Sequence, residues 1–200
     1  MTCVLGYEPV AGEDASERIW LDAPGSHRVA TACKDELLVA LHEFQPRKGA
    51  RLVLLGAEVA ALPDAERAAL RHRIGFVPAG GGLQSSLNAW ENISLPVAYH
   101  APARLQALPA QVHDLLEEVG GVDDNLLAKL PEEMTLYEKR VAAYVRALLE
   151  KPELLVVENL GTGLGPTKRK RTARFAEVYH ARCPGGTYVQ LEEWGGSHER

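Results

Sequence analysis

Four short stretches of this sequence carry residue types that could do chemistry. The first is Cys33-Lys34-Asp35-Glu36, a cation followed by two carboxylates where a helical pattern opens. The second is Thr135-Leu136-Tyr137-Glu138, whose Thr-x-x-Glu spacing is a capping box that satisfies backbone N–H groups at a helix start. The third is Glu158-Asn159 after an apolar run. A carboxylate there can meet a cation, but an asparagine amide has no basic lone pair near neutral pH and takes no proton. The fourth is Gly161-Thr-Gly-Leu-Gly165 ahead of Thr167-Lys-Arg-Lys-Arg171, a composition suited to an anion-binding turn opening a helix. Its spacing fits neither a phosphate loop nor a dinucleotide fingerprint, so the basic run reads first as a solvated helix face. The histidines form no H-x-x-x-H or comparable pair, and Cys3, Cys33 and Cys183 have no metal-type spacing, so neither a zinc site nor a disulfide framework is expected.

The elements that must hold these residues belong to one domain-sized chain of 200 residues, 46% hydrophobic and 24% charged. A net charge of -5 gives no general attraction to nucleic acid or to an anionic membrane. The longest apolar runs, Leu52 to Leu55 and Leu154 to Val157, are strand-sized, far short of the roughly 20 residues a membrane helix needs. No basic-then-apolar segment marks the N-terminus as a secretory signal. Free thiols in a reducing cytosol are the expectation for the cysteines.

Hydrophobic periodicity predicts short strands at Cys3–Gly6, Arg18–Leu21 and Arg28–Ala32. A helix follows from Asp35, with Leu37, Leu38, Leu41 and Phe44 on one face. Arg51–Leu55 and Ile74–Val77 read as strands, with a helix opened by Pro63 between them. Ala79–Leu83 is a glycine-rich loop, Ser86–Asn92 a helical turn and Ala110–Val119 an amphipathic helix stopped by Gly120 and Gly121. The capped helix from Thr135 ends before Pro152, and Leu154–Val157 is a buried strand. Gly161–Gly165 is a flexible loop, Pro166 to about Ala181 a basic helix and Tyr188–Leu191 the last strand. Alternation of helices with buried strands predicts an α/β domain with a largely parallel sheet.

Three segments resemble the ATP-binding subunit of ABC transporters, across most of the chain. Arg71-His-Arg-Ile-Gly-Phe-Val-Pro-Ala79, followed by Gly80-Gly-Gly-Leu-Gln-Ser-Ser-Leu-Asn-Ala-Trp-Glu-Asn-Ile-Ser-Leu-Pro96, is similar to the family's Q-loop region, R-x-x-I-G-F-V-F-Q leading to E-N-V-x-x-P. Leu130 to Leu160 resembles the signature helix and Walker B strand, in register without a gap. Pro46-Arg-Lys-Gly49 to Gly56-Ala-Glu-Val59 resembles the P-x-x-G-x-I-x-x-x-G turn. Within the family the wording is closest to the ATPases of Mla/Mce-type lipid transporters, mainly through Gly80–Pro96 and Arg140–Arg146. The resemblance implies a P-loop NTPase-like fold of the ABC ATPase type, its parallel sheet flanked by helices, with a shortened P-loop and a truncated C-terminal end. It implies one domain over residues 1–194, with a Q-loop and helical subdomain inserted at about 80–130, and a frayed tail at 195–200.

At each position the resemblance assigns to chemistry, this chain departs from the family pattern. No Gly-Lys dipeptide occurs; Cys33-Lys34-Asp35-Glu36 stands where Gly-Lys-Ser-Thr is expected, so Lys34 is the one candidate nucleotide contact. Asp35 and Glu36 satisfy the helix dipole themselves and repel an anion. The Q-loop glutamine position is Ala79. In the signature, Thr135-Leu136-Tyr137 replaces Ser-Gly-Gly, and the added side chains are expected to block close approach, leaving Glu138 as a local cap. Walker B ends in Glu158-Asn159, the D-loop aspartate position is Gly165, and the switch histidine position is Glu192.

Phosphoryl transfer depends on these parts acting jointly, so the expectation is a pseudo-ATPase without catalytic residues, metal or predicted cofactor. ATP and magnesium enter only if the altered site still binds them. The implied partners are an ABC permease or a live ABC ATPase, reached from the cytoplasm and peripheral to the inner face of the cell membrane. In a head-to-tail pair with an active subunit, both composite sites would be impaired, so any pairing is non-hydrolytic or uses another surface. The surface expected to persist is a groove beside the Q-loop, formed by Leu83, Leu87, Trp90 and Ile93. Two alternatives stand beside this: a nucleotide or anion sensor using Lys34, Glu158 or the Lys168–Arg171 patch, and a residual ATP-binding ABC ATPase.

Overall fold

The computed structural model describes residues 3–10, 18–120 and 122–194. Its strands are β1 (Leu5–Glu8), β2 (Ile19–Leu21), β3 (Gly25–Ala30), β4 (Arg51–Leu54), β5 (Ala57–Glu58), β6 (Ile74–Val77), β7 (Leu154–Glu158) and β8 (Thr187–Glu192). Its α-helices are α1 (Lys34–Glu43), α2 (Asp64–His72), α3 (Ala89–His100), α4 (Leu108–Val119), α5 (Leu136–Leu148), α6 (Pro166–Thr172) and α7 (Phe175–Arg182). The expected tail at 195–200 lies outside the described residues, as does Gly121.

The α/β class holds, with the expected parallel sheet flanked by helices, and a separate antiparallel sheet is packed against it. One four-stranded sheet, ordered β2-β1-β4-β5, is antiparallel throughout, and a second, ordered β3-β8-β7-β6, is parallel. The hairpin between β4 and β5 shows why. Leu55 (φ 48°) and Gly56 (φ 83°) both take positive φ, the two-residue turn that suits the twist of an antiparallel pair. Parallel neighbours instead need a helical crossover, which α6 and α7 supply between β7 and β8.

Helix α1 packs between the sheets. Leu37, Ala40 and Leu41 share one buried cluster with Leu5, Tyr7, Leu52 and Leu54 of the antiparallel sheet and with Leu154, Val156, Val189 and Leu191 of the parallel one. The other face of the parallel sheet lies under α5, where Val141, Tyr144, Val145 and Leu148 pack with Val77, Leu155 and Val157. Tyr137, Val141, Tyr144, Val145 and Leu148 of α5 are all buried, as their spacing predicts.

Two helices differ from expectation. The Ser86–Asn92 turn is the entrance to the twelve-residue α3, which contains Pro96. An interior proline costs about 3 kcal/mol; here a complete Asn88/Glu91 capping box and the burial of Ile93 and Val97 offset it. The basic helix from Pro166 breaks at Ala173 and Arg174 into α6 and α7, which lets Phe175 bury completely against Tyr144. Proline 63 caps α2 rather than filling its first turn.

Candidate functional site

The pleat of the parallel sheet decides which side chains meet. Along β7, Leu154 and Val156 face α1, whereas Leu155 and Val157 face α5. Alternation then turns Glu158 to the α1 side. Along β8, Val189 and Leu191 face α1 and Tyr188 faces the other way. Glu193 therefore follows Leu191 toward α1, and Glu192 does not. Lys34 is the first residue of α1, so carboxylates from two neighbouring strands converge on one ammonium group.

Lys34 is 7% exposed. Its Nζ donates a hydrogen bond to Glu193 Oε1, and Glu158 Oε1 lies 3.6 Å away. Burial alone would lower the pKa of the amine, but Glu193, Glu158 and Asp35 together outweigh burial and raise it above its ordinary value. Asn159, also 7% exposed, donates from Nδ2 to the same Glu193 oxygen at 2.7 Å. Lys34 first, then Asn159, holds the Glu193 carboxyl below the usual carboxylate range. The second oxygen of Glu158 accepts from the Ala79 N–H at 3.0 Å. Asn159 has φ 45°, in the left-handed region that asparagine tolerates better than most residues, and its N–H donates to Leu191 O at 2.9 Å. Three residues, Thr31 to Cys33, connect β3 to α1, and the Cys33 N–H donates to Thr31 Oγ1 at 3.3 Å.

Around this cluster the backbone is fixed by Arg140, 3% exposed on α5. Its Nε donates to Ala79 O, and one Nη donates to both Leu160 O and Thr162 O, each at 2.7 Å. Burial pushes the guanidinium pKa down and the Glu158 charge opposes that shift. Arg140 thus ties the Ala79 loop to the Gly161–Gly165 turn. That turn, expected to be flexible, is pinned at Thr162 O and at Leu160 O just before it, and its Gly165 is the N-cap of α6. Arg146 donates to Gly82 O at 3.1 Å and holds the same loop from the next turns of α5.

The sequence motifs are only partly brought together. Lys34, Ala79, Glu158 and Asn159 meet. Glu192 does not join them; it lies on the other face of β8, with Arg28 at 3.8 Å. Glu193 meets Lys34 and Asn159 instead, a residue the sequence reading did not single out. The signal was available: period-two counting from Val189 and Leu191 selects Glu193.

Thr135 and Glu138 form the predicted capping box, with the Thr135 N–H and hydroxyl both 2.8 Å from Glu138 Oε2. The other Glu138 oxygen accepts from Lys129 Nζ at 2.8 Å. Tyr137 does not block the surface as expected. Its ring is buried and its hydroxyl donates to Gly120 O at 2.8 Å, because the second helical position past the Thr135 cap points into the core. Leu136 is half-buried, near Gly163. In the expected partner groove, Ile93 is fully buried and belongs to the core, while Leu83, Leu87 and Trp90 are half-buried. The loop before α3 is built on Asn92, fully buried, which donates from Nδ2 to Gln84 O, Leu87 O and Asn88 O and accepts from the Gln84 N–H.

Among the described residues no group of three or more His, Cys, Asp or Glu could hold a metal ion, and no helix is long and apolar enough to cross a membrane.

This arrangement, a lysine-headed helix at the carboxyl end of a parallel sheet with an antiparallel sheet packed over it, is the fold of an ATP-binding cassette. The cassette MJ0796, in a dimeric post-hydrolysis state bound to ADP and Pi, superposes with a TM-score of 0.73 over 95% of this chain and 88% of that one, at 16% identity. A second match is cbiO1 from Clostridium perfringens, part of the ABC transporter complex cbiONQ, with a TM-score of 0.68 over 97% of this chain and 79% of that one, at 14% identity. In sequence, the chain is homologous to the ATP-binding cassettes of ABC transporters. It is 30% identical over 180 residues to the Fe(3+) ions import ATP-binding protein FbpC of Pseudomonas fluorescens, covering 84% of this chain and 49% of that protein. It is 27% identical over 148 residues to the methionine import ATP-binding protein MetN of Rhizobium johnstonii, covering 74% of this chain and 40% of that protein. The chain thus spans about half the length, or less, of these curated relatives. No protein-family profile matches it.

Proposed function

We propose that this chain is a non-catalytic ABC-type cassette subunit of a membrane transport system, docking on a permease or on a live ATPase. The observation that carries the reading is the closed ion-pair cluster at Lys34. The lysine at the phosphate-loop position is buried and held by Glu193 and Glu158. A magnesium nucleotide does not fit the residues present. Both Glu158 oxygens already have partners, the next residue is an amide that cannot act as a base, and Ala79 offers no polar side chain. The three-residue connection between β3 and α1 supports a shortened phosphate loop. Transition-state stabilisation of phosphoryl transfer needs these parts together, so the altered positions act against hydrolysis jointly.

The transported cargo is a finer question. The wording of Gly80–Pro96 and Arg140–Arg146 supports a lipid transporter of the Mla/Mce type, whereas the relatives are named for import of Fe(3+) ions and of methionine. Half-buried Leu83, Leu87 and Trp90 support the groove beside the Ala79 loop as the docking face, and attachment through it would place the protein on the cytoplasmic side of the membrane.

Calorimetry of the purified chain with ATP, with magnesium and then without it, tests the reading. No heat at millimolar ATP is expected. Saturable binding followed by phosphate release would overturn it in favour of a residual ATPase.

A further inference from the structure

A cleft of about 360 Å3 opens at the other end of β7 from Glu158, among α4, the end of α5 and α7. Ordinary small-molecule sites span roughly 300–1,000 Å3, so the room suits a small ligand. The floor is apolar: Leu115, Leu148 and Leu149 are each no more than 5% exposed. The rim carries Arg104, Lys151 and Arg182, with the Glu150 carboxylate among them. Two of these cations are already matched. Arg104 donates from Nη2 to Leu149 O at 2.5 Å and lies 3.5 Å from Glu150 Oε1, which ties residues 102–107 to the end of α5. Arg182 donates to both oxygens of Glu118 and ties α7 to α4. The walls are therefore held in place without a ligand.

Lys151 is different. It is exposed at the rim, and among the described residues its ammonium has no ion pair or hydrogen bond. Its backbone has φ 50° just past the end of α5, and its N–H donates to Leu148 O at 2.9 Å. Glycine is the ordinary residue at such a helix end, because a Cβ disfavours the left-handed region. A lysine thus stands against its backbone preference beside a preformed apolar floor. We propose that this cleft binds an aliphatic monocarboxylate, with its carboxylate on the Lys151 ammonium and its body over Leu115, Leu148 and Leu149. The charges select the class. Three cations against Glu150 and Glu118 leave one positive charge, which a single carboxylate balances and a polyphosphate chain exceeds. The site shares no residue with the Lys34 cluster, so it stands whether or not the chain binds ATP.

The test follows the methyl groups of Leu115, Leu148 and Leu149 by carbon-13 NMR in the full chain. The probes are hexanoate, hexanamide (the same length without the charge) and acetate (the charge without the body). Hexanoate is expected to give saturable shifts at the three leucines with a Kd of about 1 mM, and the other two probes to bind at least about five-fold more weakly. Lys151→Gly isolates the ammonium. Glycine accepts φ 50°, so this variant is expected to fold and to melt close to the unsubstituted chain, yet to bind hexanoate at least about ten-fold more weakly. Lys151→Arg keeps the charge and is expected to retain binding within about three-fold. Leucine methyls that fail to saturate by about 10 mM hexanoate overturn the proposal. So does hexanamide binding as well as hexanoate, and so does undiminished binding by folded Lys151→Gly. Heat from ATP in the calorimetry above would overturn the non-catalytic reading and leave this proposal standing.

Discussion

At Glu138 a family motif position has become a structural joint. The residue is 4% exposed, and burial by itself would raise its pKa. Lys129 and the two Thr135 donors outweigh burial, and the net shift is downward from the ordinary 4.5. A carboxyl whose folded pKa lies below its unfolded value stabilises the fold above the unfolded pKa, and the contribution is lost as pH falls through the folded one. Glu138→Gln should therefore cost about 1–3 kcal/mol at pH 7, and the cost should shrink progressively below pH 4.5. Urea melts of both proteins at pH 7 and pH 3 measure this. A loss of equal size at both pH values would show that Glu138 acts only through its shape. Arg140 is the complementary case, a buried cation that donates to the carbonyls of Ala79, Leu160 and Thr162, so its role is to shape backbone around Glu158.

Among the elements, the loop from Ala79 to Asn88 shows what packing adds to pattern. Gly81 has φ 87°, and a Cβ there would stand 2.7 Å from Lys139 O on α5. Both the dihedral and the close approach exclude a side chain. Gly81→Ala is expected to destabilise by at least about 2 kcal/mol, combining left-handed strain with displaced backbone, whereas Gly80→Ala, with nothing within 4 Å, is expected to be nearly neutral. Thermal melts of the pair decide, and equal losses would locate the strain elsewhere. Only part of this was legible in the sequence. The glycine run announced a loop, and the Thr135 region announced a cap because capping is a local property of four residues; the Asn88/Glu91 cap is equally local but was read only as a helical turn. Which glycine touches α5 depends on a contact across 58 positions of chain between Gly81 and Lys139, beyond the reach of periodicity. The same limit explains the sheets: apolar runs reveal strands, but antiparallel pairing of β1 with β4 is a long-range choice. Glu193 was missed for a different reason, since motif alignment chose Glu192 where pleat parity chooses its neighbour.

For the whole molecule, α1 joins the two sheets and also carries Lys34, so stability and site geometry are coupled through one helix. Leu37 is fully buried, one turn past Lys34, in the cluster that holds residues of both sheets. Removing its side chain leaves a cavity touching each layer, at an expected cost of about 2–5 kcal/mol. If both sheets depend on that helix, Leu37→Ala should lower the urea midpoint of a single transition. Fluorescence of Trp20 on β2, read in a chain whose other tryptophans are replaced by phenylalanine, should then coincide with far-ultraviolet circular dichroism, which follows all the helices. The Leu37→Ala substitution should also shift the Asn159 amide resonance, because Lys34 moves with α1 and shares the Glu193 oxygen with Asn159. A Trp20 transition that separates from the dichroism would mean that the antiparallel sheet unfolds alone, and α1 would then be anchored by the parallel sheet only. An unmoved Asn159 resonance with a lowered midpoint would mean that the Lys34 cluster is held by its strands rather than by the helix that supplies its lysine.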